Sequence, residues 1–212
     1  MAFEPGKWFI SGLEFFGVLV PGAVALYILL FTGRAVGIML GIDPEWPKTT
    51  LDTAIFLGIS FIIGQLLHPP AHVLNVLYDW TYRVWHRRKG DPLLERVRKL
   101  AGADVGPTGS YYAWAKSEVA AVDAKQAAKI DLYEGISKMF RTLAFLALLA
   151  TIVVPAARIG GIVIPTVEVS VWSAGWFVFA VLSFLVFCER RFASTQEAYQ
   201  SCINPVARSK TS

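Results

Sequence analysis

All three histidines of the chain, His68, His72 and His86, fall within residues 65–86, beside Gln65, Asn75, Asp79 and Arg83. Imidazole, carboxylate and amide groups at such spacings can hold a divalent metal, pass protons or line a wet surface. On a helix turning about 100° per residue, His72 stands about 40° from His68, Asn75 and Asp79 about 20° to either side, and His86 close to zero. Gln65 and Arg83 fall at about 60° on the same projection, so the polar groups share one face. Leu66, Leu67, Val73, Leu74, Val76 and Leu77 fill much of the remaining circumference.

Two prolines cut through this pattern. Pro69 and Pro70 remove consecutive backbone donors and are a candidate hinge, and His68, preceding a proline, is expected to leave the helical region. Three readings of the stripe compete. It is the wet side of a helix leaving a bilayer. It lines a vestibule or pore mouth, with Gln65, His68, His72, Asn75 and Asp79 as its walls, because polar groups in membrane segments face bundle interiors or water-filled cavities. Or His68, His72 and Asp79 bind a metal, a geometry the double proline disturbs. No metal or cofactor is expected.

Glu14 belongs with these residues. It lies within the first apolar run, where a bare carboxylate is costly. It is expected to pair with a cation such as Lys7 or Arg141, to hydrogen-bond to the second span, or to take part in proton or ion passage. Pro21 and Gly22, in the same run, are a second candidate hinge or a point of close helix contact.

No catalytic constellation is evident. The chain lacks G-x-S-x-G, a P-loop and H-E-x-x-H. Ser60 and Ser183 stand in apolar runs without a base beside them in sequence. Cys188 and Cys202 match no metal or redox spacing. The expectation is therefore a non-enzyme, with an interfacial lipid- or metal-dependent enzyme built on the His/Asp stripe as the alternative.

The elements that must position these residues follow from composition. Of 212 residues, 55% are hydrophobic and 17% charged, against about 25% charged in a soluble domain. The apolar residues concentrate in runs at residues 9–32, 51–67, 142–157 and 169–188, each near the length that spans a bilayer. Residues 35–42 read as an extension of the first run. The start is a poor export signal because Glu14 interrupts its apolar core, so it reads as a retained anchor.

Orientation follows from the basic residues. Twelve of the 20 Lys and Arg lie in residues 83–141, so this segment and both termini are expected on the cytoplasmic side of an inner membrane. Trp46, Trp172 and Trp176 mark one interface, and Trp8, Trp80 and Trp85 the other. Arg83, His86, Arg87, Arg88 and Lys89 follow the second run directly and read as contacts to lipid headgroups or to an anionic ligand.

Within the central segment, Asp91-Pro92 is a helix start and GADVGPTGS a breaker. From Tyr111 the Ala- and Lys-rich sequence predicts a long helix with an apolar stripe of Val119, Val122, Ile130, Tyr133, Ile136 and Phe140. This stripe is the candidate oligomer or partner face. The helix is expected to run on toward the third span, with Gly135 as the place for a bend. Residues 163–172 alternate briefly and read as an extended connection or a short strand.

The predicted fold is an all-α integral membrane protein with four transmembrane helices and a cytoplasmic helical hairpin between the second and third spans. Its parts are a first membrane pair (1–82), a cytoplasmic helical segment (83–140), a second membrane pair (141–190) and a cytoplasmic tail (191–212). The expected partners are the lipid bilayer, further copies of the chain and a cytoplasmic protein, with no nucleic acid. The expected function is an oligomeric pore-like or membrane-perturbing assembly controlled through its cytoplasmic helices. The alternative is a non-conducting anchor or scaffold that recruits a cytoplasmic partner.

Overall fold

The computed structural model describes residues 12–32, 47–86, 91–102, 108–159 and 166–209. Every element among them is helical. In chain order these are α1 (Gly12–Thr32), α2 (Thr50–Leu67), a 3-10 turn (Pro70–His72), α3 (Val73–His86), α4 (Pro92–Ala101), α5 (Thr108–Val122), α6 (Ala124–Ile159) and α7 (Thr166–Ser209). Apolar stretches in α2, α6 and α7 are long enough to cross a membrane, while the described apolar part of α1, Gly17–Leu29, is shorter. The described chain is thus all-helical with three helices of membrane-spanning character.

Two compact units divide these helices, one from residues 1–75 and 138–187, the other from residues 76–137 and 188–212. The boundaries fall inside α3, α6 and α7, where apolar sequence gives way to charged sequence.

In the first unit, α2 begins at a reciprocal cap. The Thr49 hydroxyl accepts from Asp52 N at 3.1 Å, and the Asp52 carboxylate accepts from Thr49 N at 2.9 Å. Further along, α1 and α2 pack at a spacing that excludes side chains. A methyl group at Gly22 would collide with the Ser60 carbonyl oxygen, and one at Gly64 with the Val18 carbonyl oxygen. Small residues at helix contacts permit such backbone approach. Phe15 and Phe61 stack at 5.6 Å in the same interface. Pro21, expected as a hinge, is buried within α1, which continues through it. The other faces of α2 expose Ile55, Leu57, Ile62 and Leu66. A sheath of lipid would satisfy such a surface; water would not.

The second unit closes around Val97, Tyr111, Ala115, Val119, Ile130, Ala198, Tyr199 and Cys202. Asp91 caps α4, its Oδ1 accepting from Leu93 N at 3.0 Å and Leu94 N at 3.3 Å. Gly102 follows that helix at φ +76°, a conformation that favours glycine. The long helix expected from Tyr111 is in fact two. It breaks at Asp123, whose Oδ1 accepts from Lys125 N and Gln126 N, both at 3.0 Å. A local carboxylate that satisfies the first donors of a new helix ends the old one there. Gly135, by contrast, lies buried inside an unbroken α6. α5 and α6 then run side by side in opposite directions, as the pairing of Lys116 with both Asp131 and Glu134 requires.

Two further expectations are corrected. His68 keeps helical dihedrals (φ −63°, ψ −46°) despite Pro69. Its N–H still reaches Gly64 O at 3.2 Å, and this bond holds the last turn of α2 closed. Residues 166–172, read as extended, are the opening turns of α7. Pro165 immediately before them suits a helix start, and β-branched residues lose little in a helix once their neighbours complete its hydrogen bonds.

Candidate functional site

The break after α2 sets up the site. Pro69 and Pro70 have no N–H, so two helical bonds are missing; His72 N instead reaches Pro69 O at 3.0 Å, making a tighter 3-10 turn before α3 resumes. The break keeps the chain close to helical while altering which residues face the neighbouring α6.

That change splits the polar stripe. His68 and Asn75 turn toward α6, where Arg141 is 5% exposed and Thr142 1% exposed. Arg141 donates through Nη2 to His68 Nε2 at 3.0 Å and through Nη1 to Asn75 Oδ1 at 3.3 Å. Guanidinium nitrogens only donate, so His68 Nε2 is the acceptor and the imidazole is neutral with its proton on Nδ1. Thr142 fits this assignment. Its hydroxyl donates to Lys138 O at 3.0 Å, leaving oxygen lone pairs toward His68 Nδ1 at 3.5 Å.

Gln65, His72 and Asp79 take the other course and are exposed. They stand seven residues apart, so the one stripe drawn from the sequence is two strips on α2 and α3, one turned in and one turned out. The His72 ring lies edge-on to that of His68, with centroids 5.5 Å apart. Among the described residues no group of three or more His, Cys, Asp or Glu gathers as a metal site. The outward side of α3 also carries Val73, Val76, Leu77 and Trp80, all exposed and all on one face.

Of the remaining candidates, the side chains of Glu14, Arg83 and His86 lie outside the described residues, as do Arg87, Arg88 and Lys89 entirely. No family model, curated protein or solved structure matches the chain. Its chemistry must be read from its own side chains.

The expected partner stripe divides in the same way. Val119 and Ile130 are buried in the core of the second unit, while Val122 at the end of α5 is exposed. Tyr133, Ile136 and Phe140 are half-buried. Tyr133 receives Lys129 and Arg190 over its ring at 5.9 and 5.8 Å.

One cluster escaped the sequence reading altogether. Lys116 Nζ lies 2.6 Å from Glu134 Oε2 and 2.7 Å from Asp131 Oδ1. The Tyr112 hydroxyl donates to Glu134 at 3.3 Å and lies 2.7 Å from the Ser194 hydroxyl, whose residue is 1% exposed. Burial lowers the pKa of the Lys116 ammonium, but hydrogen bonds to Asp131 and Glu134 outweigh it and the net shift is upward. Burial raises that of Tyr112, more than the Ser194 hydrogen bond lowers it. Such a tyrosine is a poor base at neutral pH, so the cluster reads as a bolt joining α5, α6 and α7. Its signal was present as Tyr112 and Lys116 four apart, facing Asp131 and Glu134 three apart.

Proposed function

We propose that the chain is a multi-pass membrane scaffold. Four helices, α1, α2 and the apolar parts of α6 and α7, lie in an inner membrane, and the charged helical unit faces the cytoplasm with both termini, where it receives a protein partner. The observation that carries this reading is the inward course of His68 and Asn75. Two of the groups suited to lining a path are engaged by Arg141 and Thr142 of the same chain. Groups that satisfy one another leave fewer to solvate a passing ion. The exposed Val73, Val76, Leu77 and Trp80 on α3 suit a helix resting at a bilayer surface, and the basic residues that follow suit anionic headgroups.

A second reading is favoured by Gln65 and His72. Both are exposed at seven-residue spacing beside the end of an apolar helix, and further copies of the chain packed there would share them as a polar lining. Native mass spectrometry in mild detergent, followed by ion flux in proteoliposomes, separates the two. Scaffolding predicts no flux in any oligomeric state. A closed oligomer whose conductance changes on Gln65→Leu or His72→Ala would replace it with a shared path.

A further inference from the structure

Two glycines of α2 have opposite surroundings. Gly64 lies in the seam with α1, where a methyl group would strike the Val18 carbonyl. Gly58 stands about 120° from Gly64 around the helix and about 160° from Ser60, the other seam residue. A methyl group at Gly58 meets nothing within 4 Å. Glycine weakens a helix, and packing within the chain does not explain its presence there.

The face around Gly58 carries a second anomaly. Leu51, Ala54, Ile55, Ile62 and Gln65 fall within about 60° of it to either side, and all are exposed. Only 11% of the α2 span lies buried within the chain, against 50% of the α6 span. Lipid covers apolar side chains on such a face, but it cannot satisfy Gln65. That residue belongs to the stretch of membrane-spanning length, Thr50–Leu67, with Leu66 and Leu67 still to follow. Side chains on a helix lean toward its N-terminus, so the Gln65 amide leans back along the apolar span instead of out past its end. Among the described residues no group bonds to it. An amide left without partners in hydrocarbon is costly.

A partner for this face must present a donor and an acceptor at the depth of Gln65 and fit a notch at Gly58. A second copy does both by symmetry. The same basic residues insert it in the same orientation, so a two-fold axis along the bilayer normal sets each residue of the face against its own equivalent. An amide both donates and accepts, so glutamine is complementary to itself. We propose that α2 pairs with α2 of a second copy through this face, with Gln65 and the partner's Gln65 hydrogen-bonded across the axis and Gly58 letting the helices approach. The inference rests on the membrane placement of α2 proposed above and adds the partner. Amides bonded to each other hold the scaffold as a pair and present two charged units to the cytoplasm.

The test is single-molecule photobleaching of the full chain, one fluorophore per copy, in liposomes at increasing lipid-to-protein ratio. Resistance to carbonate extraction and flotation with the liposomes are checked first. The parent is expected to bleach in two steps well into the dilution series. Gln65→Leu is expected to raise the dissociation constant of the pair about tenfold, two interhelical amide bonds being lost. Gly58→Leu fills the notch and is expected to leave single copies, while Gln65→Asn, which keeps an amide, retains most of the pairing. Leu57→Ala, exposed but about 100° from Gly58, is expected to change nothing. A parent that floats yet bleaches in one step at every ratio would overturn the pair alone. So would three or more steps, or pairing that survives both Gln65→Leu and Gly58→Leu. Protein that fails to float would overturn the membrane placement of α2 together with the pair.

Discussion

His68 accepts a hydrogen bond from Arg141 at 3.0 Å, and because a guanidinium cannot accept in return, the imidazole is held neutral with its proton on Nδ1. A second proton would point an N–H at a cation. His68 is therefore expected to stay neutral through mildly acidic pH, where free histidine passes from the neutral to the charged form. Nitrogen chemical shifts of the labelled protein in nanodiscs distinguish the two; a His68 signal that titrates near pH 6.5 would show the bond to be absent. His68→Leu should cost about 2 kcal/mol, since it removes the acceptor of a charged donor.

The α1–α2 seam gives a stringent packing prediction. Gly22→Ala and Gly64→Ala each place a methyl group against a backbone carbonyl, and a carbonyl within a helix has little room to move. Each should destabilise the hairpin of α1 and α2 by about 1–3 kcal/mol. Gly58→Ala is the control, because a methyl there meets nothing within 4 Å and should be neutral or mildly stabilising. Equal effects at all three positions, measured by thermal unfolding, would contradict the close approach.

The Lys116 cluster predicts an alkaline limit. A lysine whose pKa is raised on folding contributes stability that is complete below its ordinary value of about 10.5 and is lost as pH climbs through the folded value. Tyr112, also raised, acts in the same direction, since the unfolded chain releases that proton first. Thermal stability of the second unit should thus hold from pH 7 to 9 and fall above about 10. Lys116→Met should cost about 1 kcal/mol at neutral pH, the pair being partly solvated, and should flatten the alkaline fall. An unchanged alkaline profile would remove Lys116 as its cause.

Lipid contact at the end of α3 is the fourth prediction. Replacing Arg87, Arg88 and Lys89 by glutamine should weaken retention of anionic over zwitterionic lipid in native mass spectra, with about 1 kcal/mol lost for each charge near the surface. Trp80→Ser should weaken retention of both lipid classes alike, because it removes apolar contact without changing charge. Undiminished anionic preference in the glutamine variant would move the basic residues away from the bilayer.

How far the sequence could go depended on the range of each interaction. Apolar runs of membrane length announce their helices directly, and Asp91-Pro92 marked the start of α4 because a cap is a local matter. The polar stripe was harder. Its members do share a helical face, yet a proline break and a single arginine on α6 sort them into an inner pair and an outer strip, and neither sorting agent shows in helical periodicity. Arg141 left a trace as the charge at the threshold of an apolar run. The break at Asp123 was hidden among strong helix formers, where one aspartate carries little statistical weight but its carboxylate satisfies two backbone donors. Val119 and Ile130 read as a partner face because an apolar stripe looks the same whether a neighbouring helix of the same chain or another protein covers it.

Asp123 also offers a practical handle. Residues 121–125 at this junction are all exposed, and the reversal between α5 and α6 turns on that one residue. A short protease site or a small epitope inserted there lengthens a turn without entering the core, since loop extension costs little entropy. Cleavage or labelling of intact inverted and right-side-out vesicles at that one point would reveal the compartment the charged unit occupies, while the helices on either side stay folded.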